Sequence, residues 1–134
     1  MTVSHGKNTI ITVVTKDISP YTKNSQIERA AATHNTTGYG VDDELYAGGL
    51  RNSKFTCSGV YDNTVLVGPS IVMGGVVGST LAIIRKVEGT GTGKPQQAFN
   101  AVLEKFVESN PHDDMVTWSA DFQITGPVTL TTQP

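Results

Sequence analysis

The run Glu88-Gly89-Thr90-Gly91-Thr92-Gly93-Lys94-Pro95 offers the clearest opening for chemistry, because a glycine-rich loop ending in lysine can cradle a phosphate with its backbone N–H groups. Its spacing argues against that use. The phosphate-loop pattern requires Gly five positions before the Gly of Gly-Lys, and position 88 is Glu. It also requires Ser or Thr after the lysine, to reach a metal ion, and position 95 is Pro, which removes a backbone donor from the cradle. A dinucleotide fingerprint fails for want of a β-α-β setting. The run therefore reads as a flexible loop between strands or at an interface.

Other reactive side chains are scattered. His5, His34 and His112 lie far apart, and none stands in a metal-ligand spacing. Asp113 and Asp114 adjoin His112, but Pro111 in front of them marks a solvated turn. Asp42-Asp43-Glu44 forms an acidic cluster of the kind favoured at a helix N-terminus. Cys57 is the lone cysteine, so no internal disulfide exists, and its place inside a strand-like stretch predicts a small buried apolar side chain. Asn35-Thr36-Thr37 is a glycosylation sequon that matters only in a secreted chain. No catalytic constellation emerges, and no metal or cofactor is implied.

Composition narrows the class. The 134 residues suit one domain, 1–134, with a core of its own. Charged residues make up 16%, below the roughly 25% of an average globular chain, and Thr, Ser, Asn and Gln take their place. With many β-branched residues, this predicts a β protein whose neutral polar surface meets other subunits. Ten Lys plus Arg against twelve Asp plus Glu give a net charge of −2, with no basic stripe for gripping a nucleic-acid backbone. The first seven residues lack a signal-peptide pattern, and no apolar run approaches the ~18 residues of a membrane span, so a chain kept in the cytoplasm and off membranes is expected.

The elements follow from periodicity and turn chemistry. Residues 8–15 are β-branched and read as a first strand, closed by turn residues at 17–20. A second strand covers 25–34, with a helical turn over 26–32 as the other reading. A loop at 35–40 leads into an excursion over 41–52, with a short helical turn expected at 42–47. Strand alternation resumes over 54–61, with Phe55, Cys57 and Tyr61 on one side and Thr56, Ser58 and Val60 on the other. A turn follows at 61–64, then a short helix over 70–77 begun by Pro69, and a strand over 79–87.

The last third is the most regular. Val116, Trp118, Ala120, Phe122 and Ile124 fall on one face, while Thr117, Ser119, Asp121, Gln123 and Thr125 fall on the other. That is a long strand buried on one side, and Gly126-Pro127 is expected to end its pairing. Residues 98–108 are ambiguous: Ala98, Phe99, Val102, Leu103, Phe106 and Val107 recur at helical spacing, and the strand pattern is less clean.

Several of these segments, in order, resemble the major tail proteins (tail-tube proteins) of long-tailed, siphovirus-type bacteriophages. The resemblance rests on Asp17-Ile18-Ser19, Thr37-Gly38-Tyr39-Gly40, Ala47-Gly48-Gly49-Leu50 with Ser58-Gly59-Val60-Tyr61-Asp62, the 88–95 loop and the 115–128 strand. An extra Gly interrupts the third of these. The resemblance spans about positions 10 to 130. It implies a mainly β fold, a two-sheet β-sandwich with one short flanking helix and a long inter-subunit loop. It makes 98–108 a strand in hairpin with the last one, and that reading is adopted here.

It also implies a structural, non-enzymatic virion protein, assembled in the host cytoplasm. Copies would close into homo-hexameric rings stacked into a tube, through which DNA passes at ejection. Other tail proteins (tape measure, tail terminator, distal tail) would be its partners. The 35–52 excursion is long for a connection and is expected to reach a neighbouring subunit or ring through Tyr39, Leu45, Tyr46 and Leu50, with Gly91 and Lys94 as a second contact. Asp121 and Glu104 are candidates for a weakly acidic, arginine-poor lumen. Three other readings stand beside this one: a head-tail, terminator or decoration protein on a related sandwich, the tube of a contractile injection machine, and a small β-barrel enzyme or binding module.

Overall fold

The structure, a computed structural model, describes residues 5–61 and 75–134. Seven strands account for most of them: β1 (Ile10–Val13), β2 (Lys16–Asp17), β3 (Thr22–Asn35), β4 (Tyr46–Val60), β5 (Thr80–Lys86), β6 (Pro95–Ser109) and β7 (Thr117–Thr132). Short 3-10 turns at Gly6–Asn8 and Ser19–Tyr21 are the only helical pieces among the described residues. The turn predicted at 61–64 and the helix predicted over 70–77 fall mostly outside them.

Hydrogen bonds join all seven strands into one antiparallel sheet of order β2-β1-β5-β6-β7-β4-β3. This sheet cannot be flat. Its outermost strands, β2 and β3, lie six strand spacings apart, about 28 Å in a flat sheet. Yet only residues 18–21 connect Asp17 to Thr22, and such a link spans at most about 18 Å. The sheet must curl until its two borders approach, so two layers face each other across a common core. The two facing sheets expected from the sequence are thus the two halves of one curled sheet.

The core follows from alternation. Trp118, Ala120, Phe122 and Ile124 of β7 are buried with Phe55 and Cys57 of β4, Phe99, Ala101 and Leu103 of β6, Leu81 and Ile83 of β5, Ile11 and Val13 of β1, and Ile18. Phe55 and Phe99, on strands separated by β7, meet edge to face with ring centroids 5.4 Å apart. The curl that connectivity demands brings them together. Cys57 is buried as expected, and burial first, with the charge of Asp121 second, pushes its thiol up to about 12. It is therefore a packing residue and not a nucleophile at neutral pH.

Residues 95–109 form a strand, despite their helical spacing. β6 pairs with both β5 and β7, and a register shift between Leu103 and Lys105 moves Phe106 onto the core side, where it stacks on Trp118 at 6.0 Å. The bulge explains the misleading period: one extra residue in a strand turns an alternation of two into an apparent three-to-four.

Three other expectations are corrected. The first strand stops at Val13, because Val14 (φ 48°) and Thr15 (φ 64°) turn the chain into β2. Residues 42–47 are not helical: β4 begins at Tyr46 and pairs Asn35 with Tyr46 and His34 with Ala47. Gly126-Pro127 does not end β7. Gly126 (φ 83°) and Pro127 sit in a bulge between the pairs Asn100–Thr125 and Ala98–Thr129, where Pro needs no ladder donor, and pairing then resumes to Thr132.

Candidate assembly interface

β4 pairs with β7 only from Lys54 to Val60. Beyond Lys54, β3 and β4 continue alone as a two-stranded arm whose pairing runs out to Asn35–Tyr46. At about 3.3 Å per residue, the seven residues from 29 to 35 carry its tip roughly 20 Å past the sheet. The 35–52 excursion, expected to be a loop, is thus ribbon from Tyr46 onward, with residues 36–45 looping at its tip.

Its sequence explains the local build. Asn35 Oδ1 accepts from the Thr37 N–H at 2.9 Å, the Leu45 N–H donates to Thr37 Oγ1 at 2.7 Å, and the Thr36 N–H donates to the Leu45 carbonyl at 2.8 Å. The Asn-x-Thr triplet, legible before only as a meaningless sequon, therefore closes the tip loop. Farther in, a register shift leaves Gly49 and Leu50 opposite Ala32. The extra glycine that spoiled the family pattern lies in this bulge.

The arm buries almost nothing. Tyr39 is fully exposed, Leu50 is 89% exposed, and Leu45 and Tyr46 are more than half open to solvent or at that level. The Tyr46 hydroxyl donates to Glu44 Oε2 at 2.7 Å, and that bond raises the phenol pKa above its usual value. An isolated two-stranded ribbon is marginal in water, and exposed apolar side chains grouped on one call for a covering partner.

The 88–94 loop is held rather than flexible. The Gln133 side chain reaches into it: Nε2 donates to the Gly89 carbonyl at 2.8 Å, and Oε1 accepts from the Gly91 N–H at 3.1 Å. The Gly93 N–H donates to the Gln133 carbonyl, the Gln133 N–H to the Lys94 carbonyl, and the Lys94 N–H to the Gly91 carbonyl. The loop amides of Gly89, Gly91, Gly93 and Lys94 are therefore already committed within the protein and not free to cradle a phosphate. Lys94 folds back over Gly91, its ammonium 3.4 Å from the Glu88 carbonyl. Gly91 and Lys94 thus form one preshaped knob, remote in sequence from the arm.

Gln133 gave no signal in the sequence, since a polar residue near a chain end is usually solvated. Gln133→Ala should strand buried partners, each costing about 1–3 kcal/mol. Hydrogen exchange at Gly91 and Gly93 should speed up by tenfold or more while the β7 core amides keep their protection. Unchanged exchange in the loop would refute the clasp.

The sheet face opposite the core is polar across β3, β4 and β7, while β6 adds Val102 and Val107 beside Lys105. Gln26, Lys54, Thr56, Ser58, Ser119, Asp121 and Gln123 lie on it, and Gln123 Nε2 donates to Asn52 Oδ1 at 2.6 Å. Asp121 stands across from Lys105, and Glu28 across from Lys54. Glu104 is exposed in the β6 bulge. This face carries no arginine among the described residues and is close to charge-balanced, each carboxylate in the ladder being opposed by a lysine.

No described protein family matches the sequence, and no curated protein matches it. Solved structures do. A chain from the virion of a native gene transfer agent particle is 13% identical, with a TM-score of 0.78 over 97% of this chain and 100% of that one. The SPP1 tail tube has a TM-score of 0.77 at 10% identity, over 98% of this chain and 80% of that one. A chain of the sheath-tube complex of an extracellular contractile injection system has a TM-score of 0.74 at 12% identity, over 98% and 93%. At such identities the fold is what is shared. The chain has the tail-tube fold.

Proposed function

We propose that the protein is the major tube subunit of a long-tailed phage-like particle, a structural component with no catalytic role. Copies would close into six-membered rings, stack into a hollow tube in the virion tail, and leave a bore for DNA. Tape-measure, terminator and distal tail proteins would be its other partners. The observation that carries this reading is the arm: a ribbon bearing Tyr39, Leu45, Tyr46 and Leu50 that the subunit itself leaves uncovered. The outer edge of β3, without a strand partner among the described residues, supports it, since a free edge 14 residues long is completed most simply by another sheet. A heterologous contact of this kind repeats from copy to copy.

Asp121 and Glu104 would face the bore. A wall whose lysines are opposed by carboxylates, and which lacks arginine, releases few counterions and so holds DNA weakly, which suits passage. Negative-stain images of purified protein over a concentration series should show open-ended hollow tubes with a regular ring repeat. Single rings or free subunits at every concentration would favour the terminator or decoration reading instead. The likeness to the injection-system chain supports a second reading, the tube of a contractile machine. Intact particles showing a sheath around the tube would decide for it.

A further inference from the structure

The core face of the sheet does not stop where the core stops. Directly paired residues share a face, so Ile27–Phe55, Arg29–Ser53 and Ala31–Arg51 carry the same side outward from the core to the root of the arm. There it becomes an open groove. Ile124, Pro127 and Val128 of β7 line one flank, and Leu50 and Ala31 line the other. Arg29 and Arg51 stand over it, both exposed.

Neither guanidinium makes an ion pair or hydrogen bond among the described residues. Two arginines placed beside one another on one face repel unless an anion lies between them, and here the subunit provides none. An apolar floor under two unopposed arginines fits a partner that is both apolar and acidic.

Such a segment lies at the far end of the same arm: Val41-Asp42-Asp43-Glu44-Leu45-Tyr46. All six residues are exposed, and no partner holds the Asp42 or Asp43 carboxylates among the described residues. The tip begins four residues along the paired ribbon from Ala31 and Leu50, about 13 Å away and pointing outward, so with the ribbon extended a tip does not reach its own groove. It can enter the groove of another copy.

We propose that the acidic tip of one subunit's arm seats in the arginine groove at the root of the next subunit's arm. Asp42 and Asp43 then oppose Arg29 and Arg51, and Leu45 covers Leu50, Pro127 and Val128. This rests on the tube reading for its direction: donor and acceptor lie at opposite ends of one arm, so each docked copy presents a fresh tip or a fresh groove. The charges set register, and the apolar contact supplies most of the affinity.

The test is a charge exchange. Arg29→Glu with Arg51→Glu, and separately Asp42→Lys with Asp43→Lys, should each raise the concentration needed for self-association at least about 100-fold in sedimentation velocity at ~0.1 M salt, where charge pairs are still effective. The chain carrying all four changes should associate within about tenfold of wild type. Thermal unfolding confirms that each variant is folded.

Association of either two-site variant at the wild-type concentration would overturn the docking, as would failure of the folded four-site chain to recover. Electron microscopy of the same samples separates this inference from the tube reading. Tubes indifferent to charge reversal would leave the tube and remove the docking. A closed dimer that obeys the charge exchange would leave the docking and remove the tube. Retention of a duplex oligonucleotide that depends on Arg29 and Arg51 but not on the tip would overturn the docking by assigning the groove to phosphate.

Discussion

Gly59→Ala should abolish a stable fold, or lower the melting temperature by at least about 10 °C. A β-carbon at position 59 would overlap the Tyr21 carbonyl oxygen, and would lie 2.8 Å from its carbon and 2.9 Å from the Thr22 α-carbon. Those atoms are backbone, so no rotamer change relieves the clash. The crowding has a cause. The link over residues 18–21 must close the curl of the sheet, and it does so by laying Tyr21 against β4, where Thr22 pairs with Gly59. The Trp118 indole Nε1 then donates to the same Tyr21 carbonyl at 3.2 Å.

Adding a methyl would push the link off β4, stretch that bond and open the core beside Trp118. Overpacking in an adaptable core costs about 1–3 kcal/mol, and here the obstruction is main chain, so the cost should reach or exceed the top of that range. A domain with about 5–15 kcal/mol of total stability has little to spare. Thermal unfolding of dilute subunits, below any assembly, measures it. A melting point within about 2 °C of wild type would show that the closing link is looser than its geometry.

The elements that could be read in advance are those governed by nearest-neighbour physics. The alternation from Val116 to Ile124 predicted which side of β7 is buried, and Phe55 and Cys57 did the same for β4. Asp17 and Ser19 make the local bonds their turn chemistry suggests: Asp17 Oδ1 accepts from the Ser19 N–H at 2.9 Å, and Ser19 Oγ accepts from the Ile11 N–H at 2.8 Å.

What could not be read depends on register between distant strands. The bulge at Leu103–Lys105 gave 98–108 a helical period, and family resemblance rather than periodicity identified it as strand. The turn at Val14-Thr15 uses two β-branched residues at positive φ, where turn rules expect Asn or Gly, so β2 was invisible. The sequence marks the arm as an excursion bearing apolar residues but not as a ribbon, because its strands show no regular apolar–polar alternation. Arg29 and Arg51 carry no signal until pairing puts them on one side.

In the proposed assembly the arm separates folding from subunit contact. Replacing Leu45 and Tyr46 together by serine should leave a folded, soluble subunit that no longer forms tubes. Both side chains project from the ribbon, and the core is complete without them. Surface changes of this kind usually shift stability by no more than about 0.5 kcal/mol, so the melting point of the dilute subunit should hardly move. Serine adds no charge, so the acidic character of the tip is kept and the loss is apolar alone.

At a subunit contact the account differs. Covering a leucine or comparable side chain contributes about 1.5–3 kcal/mol, so two lost anchors weaken each contact by roughly 3–6 kcal/mol. At about 1.4 kcal/mol per tenfold, the critical concentration should rise at least 100-fold. Every added ring would make several such contacts at once, so the observed transition should be close to all-or-none. Light scattering against concentration, with images of the same samples, checks it. Tubes growing at the wild-type concentration from the folded double variant would mean that these side chains lie outside the contact, and that the arm serves something other than joining subunits.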